Sequence, residues 1–155
     1  MKFYIFSLIS ALLLNTCNSE DVSDNSEVSK TVQNFELDKF PQKWELFQMT
    51  GQMSDEPPST GDDMSWQEFY LLKEDNTFLK QRIQDDKITE SQGTYSFSNA
   101  NNENSLILKH NSTSSIIGNC TGDNTETLLF NKKEKNLTAT WWACDGPGLF
   151  YKRTE

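Results

Sequence analysis

Three cysteines, one histidine and a surplus of carboxylates are the side chains of this 155-residue chain able to do chemistry, and their spacing decides which chemistry. Cys17 stands alone at the seam where an oily run turns polar, which leaves Cys120 and Cys144 as an even pair. In an exported chain that pair is expected to be bridged, closing a loop of about 25 residues worth roughly 3.5 kcal/mol in the chain-entropy model. Two thiols with the lone His110 make a poor zinc set, and a cysteine nucleophile would need His110 as its base. His110 lies in the polar stretch KHNSTS and is expected at the surface, in solvent. The irregular stretch GQMSDEPPSTGDDMS offers Asp55, Glu56, Asp62 and Asp63 as oxygen donors of the kind calcium takes. Their spacing fits no calcium-loop template and Pro57-Pro58 stiffens the middle, so a solvated acidic loop is expected. No Ser-His-Asp order, HExxH, phosphate loop or glycine-rich nucleotide fingerprint occurs. The expectation is a non-catalytic chain with no metal and no cofactor.

The elements that would carry these residues follow from length and charge. A chain of this size makes one domain once any targeting segment is removed. Acidic residues outnumber basic ones 23 to 14, giving a formal charge of -9 that repels phosphates and excludes nucleic acid as a natural partner. Aromatic residues make up 12%, too many for a disordered acidic chain.

After Met1-Lys2, residues 3–14 are apolar except for Ser7 and Ser10. As a helix they would reach about 18 Å, against roughly 30 Å for a bilayer core, so a secretory signal is expected rather than a membrane span. Leu14-Asn15-Thr16-Cys17 resembles the lipobox of bacterial lipoproteins. The resemblance implies that Cys17 takes a thioether-linked diacylglycerol and becomes the acylated N-terminus, with membrane lipid as its partner. At about 0.8 kcal/mol per buried methylene, two or more acyl chains anchor stably. Residues 18–39 are rich in Ser, Asp, Glu and Asn and read as a tether. Ser19-Glu20-Asp21 resembles acidic export signals of some outer-membrane lipoproteins, which implies a lipid anchor in a bacterial outer membrane, on its periplasmic face or at the cell surface. The expected organisation is a signal peptide over 1–16, a lipidated cysteine and tether over 17–40, and one domain over 41–155.

That domain reads as short strands separated by turn residues: 44–49, 67–72, 77–84, 88–97, 105–109, 115–120, 126–131, 137–144 and 149–153. About eight or nine strands joined by short hairpins predict an all-β, antiparallel, up-and-down barrel. Alternation in the 137–144 segment requires that one of Trp141 and Trp142 point in and the other out. Lys43-Trp44-Glu45-Leu46, Gly93-Thr94-Tyr95 and the closing Trp142-Ala143-Cys144-Asp145-Gly146-Pro147-Gly148 with Tyr151 and Arg153 resemble, in that order, the lipocalin-like domains of small bacterial lipoproteins. Where the wider lipocalin pattern has glycine two places before the opening tryptophan, this chain has Gln42. The resemblance implies a late basic residue over that tryptophan, so Arg153 is expected against Trp44 as a cation-π contact.

Two functions remain open on the sequence. In one, the barrel binds a small apolar or amphipathic molecule in a cavity lined by Trp66, Phe69, Tyr70, Phe78, Tyr95, Phe97 and Trp141, of which only some can face inward. In the other, the same residues fill the core and the barrel is a platform for a cell-envelope protein partner. Apolar residues exposed at loop tips would favour the second, and an empty interior the first.

Overall fold

The computed structural model describes residues 39–51, 57–100 and 103–155. The signal segment, Cys17, nearly all of the tether, Asp55 and Glu56 lie outside the described residues. The strands are β1 (Gln42–Thr50), β2 (Ser59–Thr60), β3 (Gln67–Leu72), β4 (Thr77–Gln84), β5 (Lys87–Ala100), β6 (Glu103–His110), β7 (Thr125–Asn131), β8 (Asn136–Ala139) and β9 (Gly148–Arg153). β1 and β3 to β9 pair with their neighbours in chain order, and β9 pairs back onto β1. The result is a closed, antiparallel, up-and-down ring of eight strands, consistent with a lipocalin-like barrel. The two-residue β2 is an addition inside the stretch expected to be irregular, and it pairs with the end of β1.

Local chemistry explains the connections. β4 and β5 are joined through Asp85 and Asp86, both at positive φ, the two-residue turn whose twist matches the flanking strands. Between β3 and β4 the Asp75 carboxylate accepts from both the backbone N–H and the hydroxyl of Thr77. Gly93 marks where β5 and β6 press together, because a Cβ there would fall 2.0 Å from the Lys109 carbonyl oxygen. A bulge between Leu46 and Gln48 shifts the phase of β1, so that Trp44, Leu46 and then Met49 all face the core.

Two expected strands are corrected. Residues 115–120 form no strand and belong to the 111–124 connection between β6 and β7. Interior side chains engage backbone groups of this segment in place of a neighbouring strand. β8 ends at Ala139 rather than at Cys144; Thr140 turns the chain into a 3-10 helix at Trp141–Cys144, which ends on Asp145 at φ 66°. Trp141 packs partly buried against the core while Trp142 is 57% exposed. The two tryptophans do part company, but through a helical turn and not through strand alternation.

The interior has two chemically different parts. Along β3 and β4 the inward positions change from Leu72 and Phe78 to Glu68, Lys80 and Arg82. Along β6 and β7 they change from Leu106 and Leu128 to His110 and Glu126. In the apolar part the Trp44 ring meets Phe130 edge-on, with centroids 6.3 Å apart, and the fully buried Gln42 accepts the Trp44 indole N–H at 3.1 Å.

Candidate functional site

The charged part is one connected cluster. Glu68 takes the Tyr151 hydroxyl at 2.6 Å and the Arg82 Nε at 2.5 Å, with the Lys80 ammonium 3.3 Å away. Lys80 bridges to Glu126 at 2.7 Å and donates to the Ile116 carbonyl at 2.6 Å. Glu126 further accepts from Tyr70 Oη at 3.1 Å, from His110 Nε2 at 2.8 Å and from the Gly118 backbone N–H. Two cations face two carboxylates, so the charges of Lys80, Arg82, Glu68 and Glu126 cancel. Lys80, Glu126 and Tyr70 are each 1% exposed.

Burial alone would raise the Glu126 pKa. The Lys80 charge, with hydrogen bonds from His110, Lys80 and Gly118, outweighs it and holds the carboxyl down at about 2. Burial, and then the nearby carboxylates, pushes the Tyr70 and Tyr151 hydroxyls well above the ordinary phenol range. Both phenols stay protonated and donate.

Topology gives these bonds their meaning. In the ring β1, β3 to β9, strands β3 and β7 stand opposite each other, so the Tyr70–Glu126 bond spans the lumen. Lys80 on β4 reaches the same carboxylate. Ile116 and Gly118 bring the 111–124 connection onto the cluster, and the Cys120–Cys144 disulfide, present as expected, ties that connection to the turn after β8. Gly118 and Gly146 leave room for the Trp141 ring, which a Cβ on either would meet at 2.8 and 2.5 Å.

His110 corrects the sequence reading. It is 3% exposed, its ring is edge-on to Phe78 with centroids 4.9 Å apart, and its Nδ1 lies 2.7 Å from Ser91 Oγ. Nε2 faces a carboxylate and so carries the N–H that donates to it, while Nδ1 shares a hydrogen bond with the serine hydroxyl. Ser91, His110 and Glu126, far apart in sequence and without a motif, thus form a hydrogen-bonded line. Ser91 is only 7% exposed, and its line ends on the carboxylate that already binds Lys80, Tyr70 and Gly118.

The expected lining residues divide. Tyr70 and Phe78 are inside, Tyr70 5.1 Å from the Tyr151 ring. Tyr95 is buried, donates to the Lys73 carbonyl at 2.7 Å and meets Phe97 edge-on at 5.6 Å. Phe69 does not line the interior: strand alternation turns it outward, where the Lys43 ammonium covers its ring at 4.8 Å. Trp66 packs against the core edge with the Arg82 guanidinium 4.2 Å over its ring. With Trp141, Met49, Pro57 and Pro147 it lines an open cleft of about 640 Å³ at the barrel mouth. Arg153 lies directly across the β1–β9 ladder from Trp44, and its guanidinium reaches the Lys39 carbonyl at 3.1 Å. Among the described residues no three His, Cys, Asp or Glu side chains converge as a metal site, and Asp62 and Asp63 are exposed.

Glu68, Lys80, Arg82, Ser91 and Glu126 were not singled out from sequence. A signal existed, since Lys80 and Arg82 share the parity of Phe78, and Glu68 that of Tyr70 and Leu72. Compared with known protein families, with curated proteins and with solved structures, the chain matches none.

Proposed function

We propose that this chain is a non-catalytic, lipid-anchored binding module of the bacterial cell envelope, with a barrel that serves as a filled, rigid platform and a binding surface on its outside. One observation carries the reading: the Tyr70–Glu126 hydrogen bond joins opposite strands, so the level of the lumen where a ligand would sit holds protein groups already satisfied by one another. A displaced Glu126 would leave the buried Lys80 without its nearer counter-ion and Glu68 shared between Lys80 and Arg82, which is unfavourable. Apolar side chains also stand exposed at a hairpin tip, where Ile83 and Ile88, paired across β4 and β5, are 40% and 59% exposed. This is the disposition of a module that contacts an envelope protein. The acylated Cys17 and the tether over 18–39 would hold that surface near the membrane.

A second reading rests on the mouth cleft between Trp66 and Trp141, whose size and aromatic walls suit a small amphipathic ligand held outside the lumen. Native mass spectrometry of protein extracted from its own membrane separates the two. The platform reading expects the diacylglycerol mass on Cys17 and no small molecule. A stoichiometric molecule lost on Trp66→Ala would favour the cleft. One retained in that variant and lost on Leu128→Trp, which narrows the lumen, would overturn both.

A further inference from the structure

The two halves of β5 have different neighbours. β4 runs beside Lys87 to Thr94, whereas β6 joins only at Gly93 and follows to Ala100. Among the described residues no strand lies beside 87–92 on the side away from β4. Backbone groups alternate in direction along a strand. Lys87 closes the two-residue turn with Gln84 and faces β4, while the Gln92 carbonyl faces the other way and accepts from the Asn111 N–H at 2.9 Å. Ile88 and Glu90 share the direction of Gln92, so each turns an N–H and a carbonyl to the open side, without a backbone partner among the described residues. On the outer face Ile88 is 59% exposed, next to Ile83 at 40%. An open edge that carries apolar, β-branched residues is a template for another strand.

Donors and acceptors at alternate positions match an extended backbone, and in an antiparallel pair the same pattern on a second copy is its own complement. Three registers of β5 on β5 bring the free groups together. Centring on Glu90 sets the two Glu90 carboxylates opposite each other and needs the place that Asn111 takes beside Gln92. Centring on Ile88 sets Glu90 opposite the partner's Asp86, again two like charges. Centring on Thr89 sets Ile88 opposite the partner's Glu90 and Glu90 opposite the partner's Ile88, each pair exchanging both of its N–H···O bonds. Thr89 then faces the partner's Thr89 and Lys87 faces the partner's Ser91, so no like charges meet. The two Ile88 side chains become diagonal neighbours, each flanked by the Ile83 of its own copy. The acidic Asp85-Asp86 turns end up about 20 Å apart, more than twice the Debye length of about 8 Å.

We propose that the chain forms a two-fold dimer by pairing β5 with β5 through the Ile88 and Glu90 backbone, centred on Thr89. The proposal rests on the Ile83–Ile88 tip being a contact surface and names a second copy of this chain as what it meets. The contact is small beside the roughly 800 Å² per partner of a standard interface, so the dimer is weak in solution and is favoured between copies anchored in one membrane.

Sedimentation of the Cys17→Ser chain, which carries no acyl group and forms no disulfide through residue 17, tests this from about 10 μM to about 1 mM. A reversible dimer is expected, strengthened by added salt because each copy has a formal charge of -9. Amide exchange at the highest concentration should slow at Ile88 and Glu90 and stay unchanged at Lys87 and Thr89, which already face β4. Glu90→Pro removes an N–H that β4 does not use, and Ile88→Lys puts a charge at an exposed position; each should weaken association by about tenfold or more. A chain that stays monomeric throughout, a dimer whose Ile88 and Glu90 amides exchange as in the monomer, or association undiminished in both variants would overturn the proposal. A monomeric chain would leave the platform reading standing, with a different protein at the tip, because that reading is decided by the mass of the native product.

Discussion

The two parts of the barrel interior reach the same degree of burial by opposite chemistry. Around Leu72, Leu106, Leu128 and Leu137, stability comes from apolar surface removed from water, at about 25 cal/mol per Å². Around Glu68, Lys80, Arg82, His110 and Glu126 the desolvation of charges opposes folding, and only complete pairing offsets it. The apolar part is tolerant of position, since any side chains of suitable volume would serve. The charged part is directional: it joins opposite strands and pins the 111–124 connection through Ile116 and Gly118. The contrast assigns stability chiefly to the first part and a single closed arrangement to the second.

The largest effect tests the charged part. Glu126→Ala leaves Lys80 buried without its nearer carboxylate and frees the Gly118 N–H, and is expected to cost about 3–5 kcal/mol in chemical denaturation. Pairing it with Lys80→Met removes both charges, leaves Glu68 matched by Arg82, and should be less damaging than Glu126→Ala alone. A double variant as unstable as the sum of the two singles would break the view that pairing is what matters. In the apolar part, Leu106→Ala is expected to cost about 2–5 kcal/mol through lost transfer energy and the cavity left behind, with no partner able to rescue it.

Opening the disulfide by Cys144→Ser is expected to lower stability by roughly 3.5 kcal/mol or less, and to raise amide exchange in 111–124 before it does so in β6 or β7. The smallest effect is in pH. The Glu126 carboxyl is lowered in the folded state from 4.5 to about 2, so its contribution is complete above about pH 4.5 and fades as pH falls toward 2. That contribution is on the order of 3 kcal/mol, and acid titration of Glu126→Gln should lack that part of the slope.

The fold was legible where local chemistry repeats. β3 and β4 have the bounds read from the sequence, because alternation and turn residues alone delimit them. The strand expected at 115–120 failed because that segment has strand-like composition while its carbonyl and N–H groups serve buried ions from other strands. The disulfide followed from cysteine parity. His110 was misplaced since its neighbours in the chain are polar, whereas its surroundings are set by Phe78, Ser91 and Glu126. Strand parity pointed Lys80, Arg82 and Glu68 inward, but the general expectation that charges face water hid them. No local pattern marks the meeting of Tyr70 with Glu126, which depends on the barrel closing.

Whether the lumen is closed decides between a platform and a carrier, and Lys80 reports on it directly. Brief acetylation of the folded chain, followed by peptide mass mapping, compares Lys80 with the exposed Lys87 on β5 and Lys109 on β6. A filled barrel predicts that Lys87 and Lys109 are modified while Lys80 is protected until the protein is unfolded. Lys80 reacting as fast as they do would mean a lumen open to solvent and to ligands, and would contradict the account.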